Sequence, residues 1–259
     1  MREVGGVKAN WAPATKTLTF DIGGTGLKAS LIDMEGELLH ERIRILTPYP
    51  LTPGLLVESL VSISKELPKA DRISAGFPGV IRDGKIITAP HFIFPNGPSD
   101  TSSPPDQDLI SAWSGFDLAS ELGSKIGLPA KVANDADLAG SAVITGVGLE
   151  LVVTLGTGFG TGMFLEGKLL PHLEIAHMPF SKGGTFDDQL GDHERKTIGN
   201  KRWSKRVEKA IKLLRVLVNF DHLYIGGGNS SKMQIELEND ITVVSNDAGL
   251  KGGIKLWDV

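Results

Sequence analysis

Two glycine-rich turns in this chain expose main-chain amides in a pattern that can hold a phosphate group. The first, Asp21-Ile22-Gly23-Gly24-Thr25-Gly26, follows the strand-like run Thr17-Leu18-Thr19-Phe20. The second, Gly156-Thr157-Gly158-Phe159-Gly160-Thr161-Gly162, follows Leu151-Val152-Val153-Thr154-Leu155. Without Cβ atoms, successive N–H groups lie uncovered and form a nest for anionic oxygens, and Thr25 and Thr157 add hydroxyl donors. Each turn alone is equally readable as a tight connection. Two matched turns plus a third glycine run, Gly226-Gly227-Gly228-Asn229, favour phosphate clamps. Asp21 precedes the first turn, where its carboxylate can hold Mg2+ through water against phosphates or simply cap the turn. Asn134-Asp135 end another short apolar run. Here a carboxylate can take the proton of an attacking hydroxyl while the amide bonds a second hydroxyl, or Asp135 can serve as a helix N-cap. Glu174 and His177, three residues apart, can both address a polyhydroxylated ring or fill an ordinary surface or core role. No further ligand cluster accompanies them, so they do not make a complete metal site.

Both turns join strand to strand. Leu27, Ala29 and Leu31 supply the alternation after the first, and Met163-Phe164-Leu165 returns after the second. A dinucleotide fingerprint or a Walker loop must open a helix, and the Walker Gly-Lys-Ser/Thr is absent, so both are disfavoured. The same grammar recurring at about half the chain predicts duplicated α/β lobes facing each other, each offering one hairpin to a shared cleft. The boundary falls near Gly140, giving an N-terminal lobe over 1–139 and a C-terminal lobe over 140–259, whose last helix packs back on the first. Spacing predicts helices over 55–67 and 109–126, strands over 72–77, 130–133, 223–225 and 242–244, and a loop over 90–105. Residues 201–218 read as an amphipathic helix with Trp203, Val207, Ala210, Ile211, Leu214, Leu217 and Val218 on one face.

At 259 residues the chain suits one large domain or two modest ones, and the absence of cysteine excludes a disulfide framework, a thiolate metal site and a cysteine nucleophile. No apolar run reaches the roughly 18 to 20 residues of a membrane helix, and residues 1–10 lack a signal-peptide core, so a cytoplasmic protein without membrane or nucleic-acid partners is expected. The net charge of −4 agrees. It conceals a local exception: residues 195–215 carry nine basic side chains, among them Lys201, Arg202, Lys205 and Arg206, against the single acid Glu208. That face is either merely solvated or a track for a polyanion.

In order along the chain, Asp21-Ile22-Gly23-Gly24-Thr25, Gly76-Phe77-Pro78-Gly79, Asn134-Asp135-Ala136-Asp137, Leu155-Gly156-Thr157-Gly158, Glu174-Ile175-Ala176-His177 and Gly226-Gly227-Gly228-Asn229 resemble the motifs of ROK-type sugar kinases. The segment Lys201-Arg202-Trp203-Ser204-Lys205-Arg206 looks like the basic segment of the polyphosphate glucokinase (polyphosphate/ATP glucomannokinase) branch. The resemblance implies a two-lobed, actin-like ATPase fold (ribonuclease H-like, hexokinase/ROK) with a cleft between lobes. It implies Asp135 as the base for the 6-hydroxyl of glucose or mannose, Asn134, Glu174 and His177 on the sugar hydroxyls, and Gly79 giving the sugar room. Asp21, Gly23, Gly24, Thr25 and Lys28 become the first phosphate clamp, with Mg2+ at Asp21 through water. Gly156, Thr157 and Gly158 become the second. Gly227 and Gly228 would lie near the base of ATP, and Lys201, Arg202, Lys205 and Arg206 along polyphosphate. A homodimer is implied, and zinc is not, because residues 178–188 lack the family's cysteine-rich motif. The N-terminal region lacks the DNA-binding helices of ROK repressors. The alternatives are an ATP-only ROK glucokinase, a non-catalytic sugar-sensing protein and a polyphosphate phosphatase.

Overall fold

The computed structural model describes residues 11–98, 103–244 and 248–257. The expected polar extension over 1–10 and residues 99–102 of the expected 90–105 loop lie outside the described residues. The chain divides into two compact units, one running to Leu138 and resumed from Leu250, the other spanning Ala139–Gly249.

In the first unit, β1 (Thr17–Ile22) turns into antiparallel β2 (Leu27–Ile32), which pairs with β3 (Ile43–Ile45). Helix α1 (Pro53–Ser64) follows, then β4 (Arg72–Phe77), a small hairpin of β5 (Ile81–Arg82) and β6 (Lys85–Ile86), α2 (Gln107–Trp113), α3 (Leu118–Ile126) and β7 (Ala130–Asn134). The sheet order is β3-β2-β1-β4-β7, with β4 and β7 parallel to β1. β4 is buried throughout, as a central strand covered on both faces must be. Phe20, Ile22, Leu60, Phe77, Phe92 and Trp113 are among the side chains that close the core. Helix α4 (Asp135–Ser141) carries the chain across the boundary between units.

The second unit repeats the pattern. It contains β8 (Leu149–Leu155), β9 (Phe159–Leu165), β10 (Lys168–Leu169), a hairpin of β11 (Pro179–Ser181) and β12 (Gly184–Thr185), α5 (Phe186–Leu190), α6 (Asp192–Ile198), α7 (Asn200–Val218), β13 (His222–Gly226) and β14 (Ile241–Val243). Its sheet order, β10-β9-β8-β13-β14, is the first unit's order in a second copy: three antiparallel strands, then two parallel to the strand that enters the glycine turn. Helix α8 (Ala248–Lys255) then returns to the first unit. There Gly253 rests against Thr19 and Ser74, Ser74 Oγ donates to the Gly253 carbonyl at 2.5 Å, and Trp257 Nε1 donates to Ser74 Oγ at 2.9 Å. The Trp257 and Trp11 rings meet edge to face and flank the fully buried guanidinium of Arg72.

The single helix expected over 109–126 is two. The chain leaves α2 at Ser114 because the Gly115 amide donates to the Ile86 carbonyl and the Phe116 carbonyl accepts from Ile86 N, and Asp117 then caps α3. A backbone pairing distant in sequence therefore overrides local helical spacing. Leu217, expected on the buried face of α7, is 56% exposed, whereas its neighbour Val218 packs against the core. Among the described residues no helix is long and apolar enough to cross a membrane.

Candidate active site

In the first unit the parallel register places three loops side by side. Asp21 lies opposite Gly76, and Gly76 opposite Ala133, so the Gly23–Gly26 turn, Pro78-Gly79 and Asp135 all emerge at the carboxyl ends of β1, β4 and β7. That edge is where open α/β sheets bind ligands. Within the turn, Gly23 N donates to the Gly26 carbonyl at 3.1 Å. Two carbonyls of the turn are held by side chains: Thr47 Oγ1 donates to the Gly23 carbonyl at 2.6 Å, and the Tyr49 hydroxyl to the Gly24 carbonyl at 2.7 Å. The amides of Gly24 and Thr25 donate to no group among the described residues, and Thr25 is exposed. Fixing the carbonyls while leaving amides open is what an anion nest requires. Burial pushes the Tyr49 phenol pKa up to about 12, so the hydroxyl remains a donor.

Asp21 is 57% exposed and pairs with Lys28 Nζ at 2.7 Å through one carboxylate oxygen. Lys28, expected on phosphate, therefore has its charge met by Asp21. Asp135 opens α4 with its side chain exposed, and Ala136 N donates to its Oδ1 at 2.9 Å. Asn134 is 5% exposed and has both ends of its amide engaged: Oδ1 accepts from Ala136 N at 2.8 Å and Nδ2 donates to the Gly79 carbonyl at 3.1 Å. Asn134 Oδ1 thus shares the capping of α4 with Asp135, whose side chain is the exposed one of the two. Gly79 is buried, and a Cβ there would run into the Thr88 carbonyl, so packing within this unit already demands the glycine.

The second hairpin is built like the first. Gly156 N donates to the Gly158 carbonyl at 3.0 Å, while the Gly156 carbonyl accepts from Asn229 Nδ2 at 2.9 Å and from Asp192 N at 3.1 Å. The amides of Thr157 and Gly158 donate to no group among the described residues, and Thr157 is exposed. Asp187 anchors the far side by accepting from Phe159 N at 2.7 Å. Asn229 N also donates to the Leu155 carbonyl, which brings Gly227 and Gly228 beside the hairpin. Gly227, at φ +86 against Leu155, has no room for a side chain. Asp192 is held down to about 2 by Lys196 and Arg195.

Glu174 and His177 separate in environment. Glu174 faces the buried His172 Nε2 at 3.7 Å, whereas His177 is exposed near Asp188. Among the basic residues of α7, Lys201, Arg202 and Lys205 are exposed. Arg206 instead turns inward to Glu194 Oε1 at 2.8 Å and the Gln189 carbonyl. The residues that fix the hairpins, Thr47, Tyr49, Asp187, Asp192 and Asn229, were not singled out by sequence reasoning for that work. Only the strand-end position of Asn229 after three glycines gave a signal.

The profile of the ROK family matches residues 17–180. Polyphosphate glucokinase of Mycobacterium tuberculosis is 26% identical over 250 residues, 90% of this chain and 87% of that protein. N-acetylmannosamine kinase of Escherichia coli is 32% identical over 160 residues, 60% of this chain and 49% of that protein. Among solved structures, inorganic polyphosphate/ATP-glucomannokinase from Arthrobacter sp. superposes with a TM-score of 0.75 at 27% identity, covering 94% of this chain and 98% of that one. A ROK family glucokinase from Streptomyces griseus, at 0.68 and 18% identity over 93% and 98% of the two chains, shares the fold. With two sheets of the same order, each feeding one glycine hairpin, and a family match that takes in both hairpins, the chain has the actin-like ATPase fold and belongs to the ROK family.

Proposed function

We propose that this protein is a sugar kinase that transfers a phosphoryl group from inorganic polyphosphate, and from ATP, to the 6-hydroxyl of glucose or mannose. The observation that carries this reading is the shared carboxyl edge of β1, β4 and β7, where an exposed carboxylate, Asp135, stands in the same row of strand ends as a hairpin with open amides. The polyphosphate glucokinase and glucomannokinase relatives, which align over nearly the whole chain, support the choice of sugar and donor.

The protein acts as a phosphotransferase. Asp135 accepts the proton of the sugar hydroxyl as that oxygen bonds to phosphorus and the bond from phosphorus to the donor's bridging oxygen breaks. Glu174 and His177 bind sugar hydroxyls, and Asn134 holds the start of α4 that carries Asp135. The open amides at Gly24, Thr25, Thr157 and Gly158 take phosphate oxygens, with Gly227 and Gly228 beside the donor. Asp21 suits Mg2+, because its second carboxylate oxygen is free of Lys28 and this ion is commonly held by one or two carboxylates with waters and substrate phosphates. Bound there, Mg2+ neutralises charge on the donor. Lys201, Arg202 and Lys205 offer exposed positive charge along one face of α7 to a long polyphosphate. The reading includes a cytoplasmic homodimer, which light scattering after size-exclusion chromatography tests.

The deciding experiment is a coupled assay for sugar 6-phosphate with glucose and mannose, each against ATP and medium-chain polyphosphate. Product with polyphosphate is expected. Donor breakdown without an acceptor, or sugar binding without product in any combination, removes the reading.

A further inference from the structure

We propose that Arg44 is a donor-phosphate ligand of this site, laid across the first glycine hairpin by the sheet itself. The register sets Asp21 on β1 opposite Lys28 on β2, and Lys28 opposite Arg44 on β3. Residues directly opposed across antiparallel strands share a face, so the three side chains form one row beside the Gly23–Gly26 turn. Their charges are not equivalent. The Lys28 ammonium is met by Asp21 at 2.7 Å. Arg44 is exposed and forms no ion pair or hydrogen bond among the described residues.

The Arg44 guanidinium lies against Gly26. A Cβ added at that glycine would stand 2.9 Å from Nε, 3.0 Å from Nη2 and 3.2 Å from Cζ, so the Nε–Nη2 side of the group lies against the turn. The one unneutralised cation of the row therefore sits on the hairpin whose Gly24 and Thr25 amides are open. The guanidinium is planar by its own resonance, and its N–H fork matches the oxygens of a phosphate better than a lysine's point charge does. The resemblance implies Lys28 for this work; the present inference gives it to Arg44, one strand outward. The inference rests on reading the Gly23–Gly26 hairpin as the clamp for the phosphoryl donor.

The test uses the full-length protein with Arg44→Gln, Arg44→Lys and Gly26→Ala. Binding of inorganic tripolyphosphate is measured by calorimetry, and kcat and KM with donor and glucose varied separately. Arg44→Gln should weaken tripolyphosphate binding and raise donor KM by roughly tenfold, the effect of losing one charge-assisted contact, with the glucose KM within about twofold of wild type. Arg44→Lys should restore only part of the loss. Gly26→Ala keeps the arginine but fills its resting place, and should reproduce the donor-specific defect. If that variant does not fold, the two exposed Arg44 variants decide alone. Unchanged tripolyphosphate binding in Arg44→Gln, or equal losses for sugar and donor, overturns the proposal. A wild-type protein that binds tripolyphosphate, loses it in Arg44→Gln and yet makes no sugar phosphate removes the kinase reading alone. Sugar phosphate made with identical donor constants in wild type and variant removes this inference alone.

Discussion

The hydroxyl of Tyr49 donates to the carbonyl of Gly24 at 2.7 Å and reaches toward the His91 carbonyl at 3.5 Å, joining the first glycine hairpin to the loop that follows β6. Replacing Tyr49 with Phe removes that hydroxyl and little else. A net hydrogen bond is worth about 1 kcal/mol, so kcat/KM for the donor should fall about fivefold. The raised phenol pKa gives the sign of the pH effect: the folded state holds the proton more tightly, so stability is intact below the unfolded value of 10 and is lost as pH rises toward about 12. Chemical denaturation across that window should show the alkaline decline in wild type and a shallower one in Tyr49→Phe.

For Asp135, the expected outcome of Asp135→Asn is a drop in kcat of about 10² to 10⁴ with sugar affinity nearly unchanged, the signature of a lost general base. The exposed position of the side chain leaves folding intact. Retained turnover in this variant would sink the assignment. Asn134→Ala differs in kind, because it removes the cap of α4 and the link to Gly79. It should cost about 1 to 2 kcal/mol of stability, seen as a lowered Tm.

The basic face of α7 separates into two classes that a charge count merges. Neutralising Lys201, Arg202 and Lys205 together should raise the KM for polyphosphate and flatten its dependence on salt, while activity with ATP changes little. Arg206→Gln should leave polyphosphate kinetics alone and cost about 1 kcal/mol, because its guanidinium serves Glu194. Equal effects of the two sets on polyphosphate KM would contradict the division.

Glu150 supplies an acid-side counterpart. It is fully buried, and burial alone raises its pKa, but donors from Thr145 N and Oγ1, the Tyr224 hydroxyl and Gly146 N outweigh that cost and leave the pKa lowered. A carboxylate held below its unfolded value of 4.5 stabilises the fold above that value and loses this contribution as pH falls through the folded one. Glu150→Ala should cost about 3 kcal/mol or more, since several donors lose their acceptor at once. Glu150→Gln should unfold with a weaker acid dependence than wild type, measured by urea titration between pH 3 and 6.

Local pattern carried much of this structure and failed at identifiable places. The strand-turn-strand units at Asp21 and Gly156 were legible because glycine and alternation leave few other conformations, and their recurrence pointed to a duplicated α/β unit, though not to the shared strand order. The break between α2 and α3 was not, since its cause is Ile86, about thirty residues away. Asp135 was visible from its place after a short strand. The engagement of Asn134 with Gly79, the pairing of Lys28 with Asp21 and the inward turn of Arg206 were not, because each depends on a partner that only the folded chain brings near. Thr47, Tyr49 and Arg44 lie on a segment without glycine; Arg44 reaches the hairpin through strand pairing, and Thr47 and Tyr49 through hydrogen bonds to its carbonyls.

The return of α8 to the first unit makes that unit discontinuous, with the whole of Ala139–Gly249 inserted between β7 and the helix that completes it. During synthesis the inserted unit can be finished while its host is not. Thr19, Ser74 and Arg72, buried in the completed protein, wait uncovered until Gly253 and Trp257 have left the ribosome. The segment from Leu250, translated after the whole inserted unit, thus closes the first unit, and a chain lacking it would expose a polar seam on that unit's sheet.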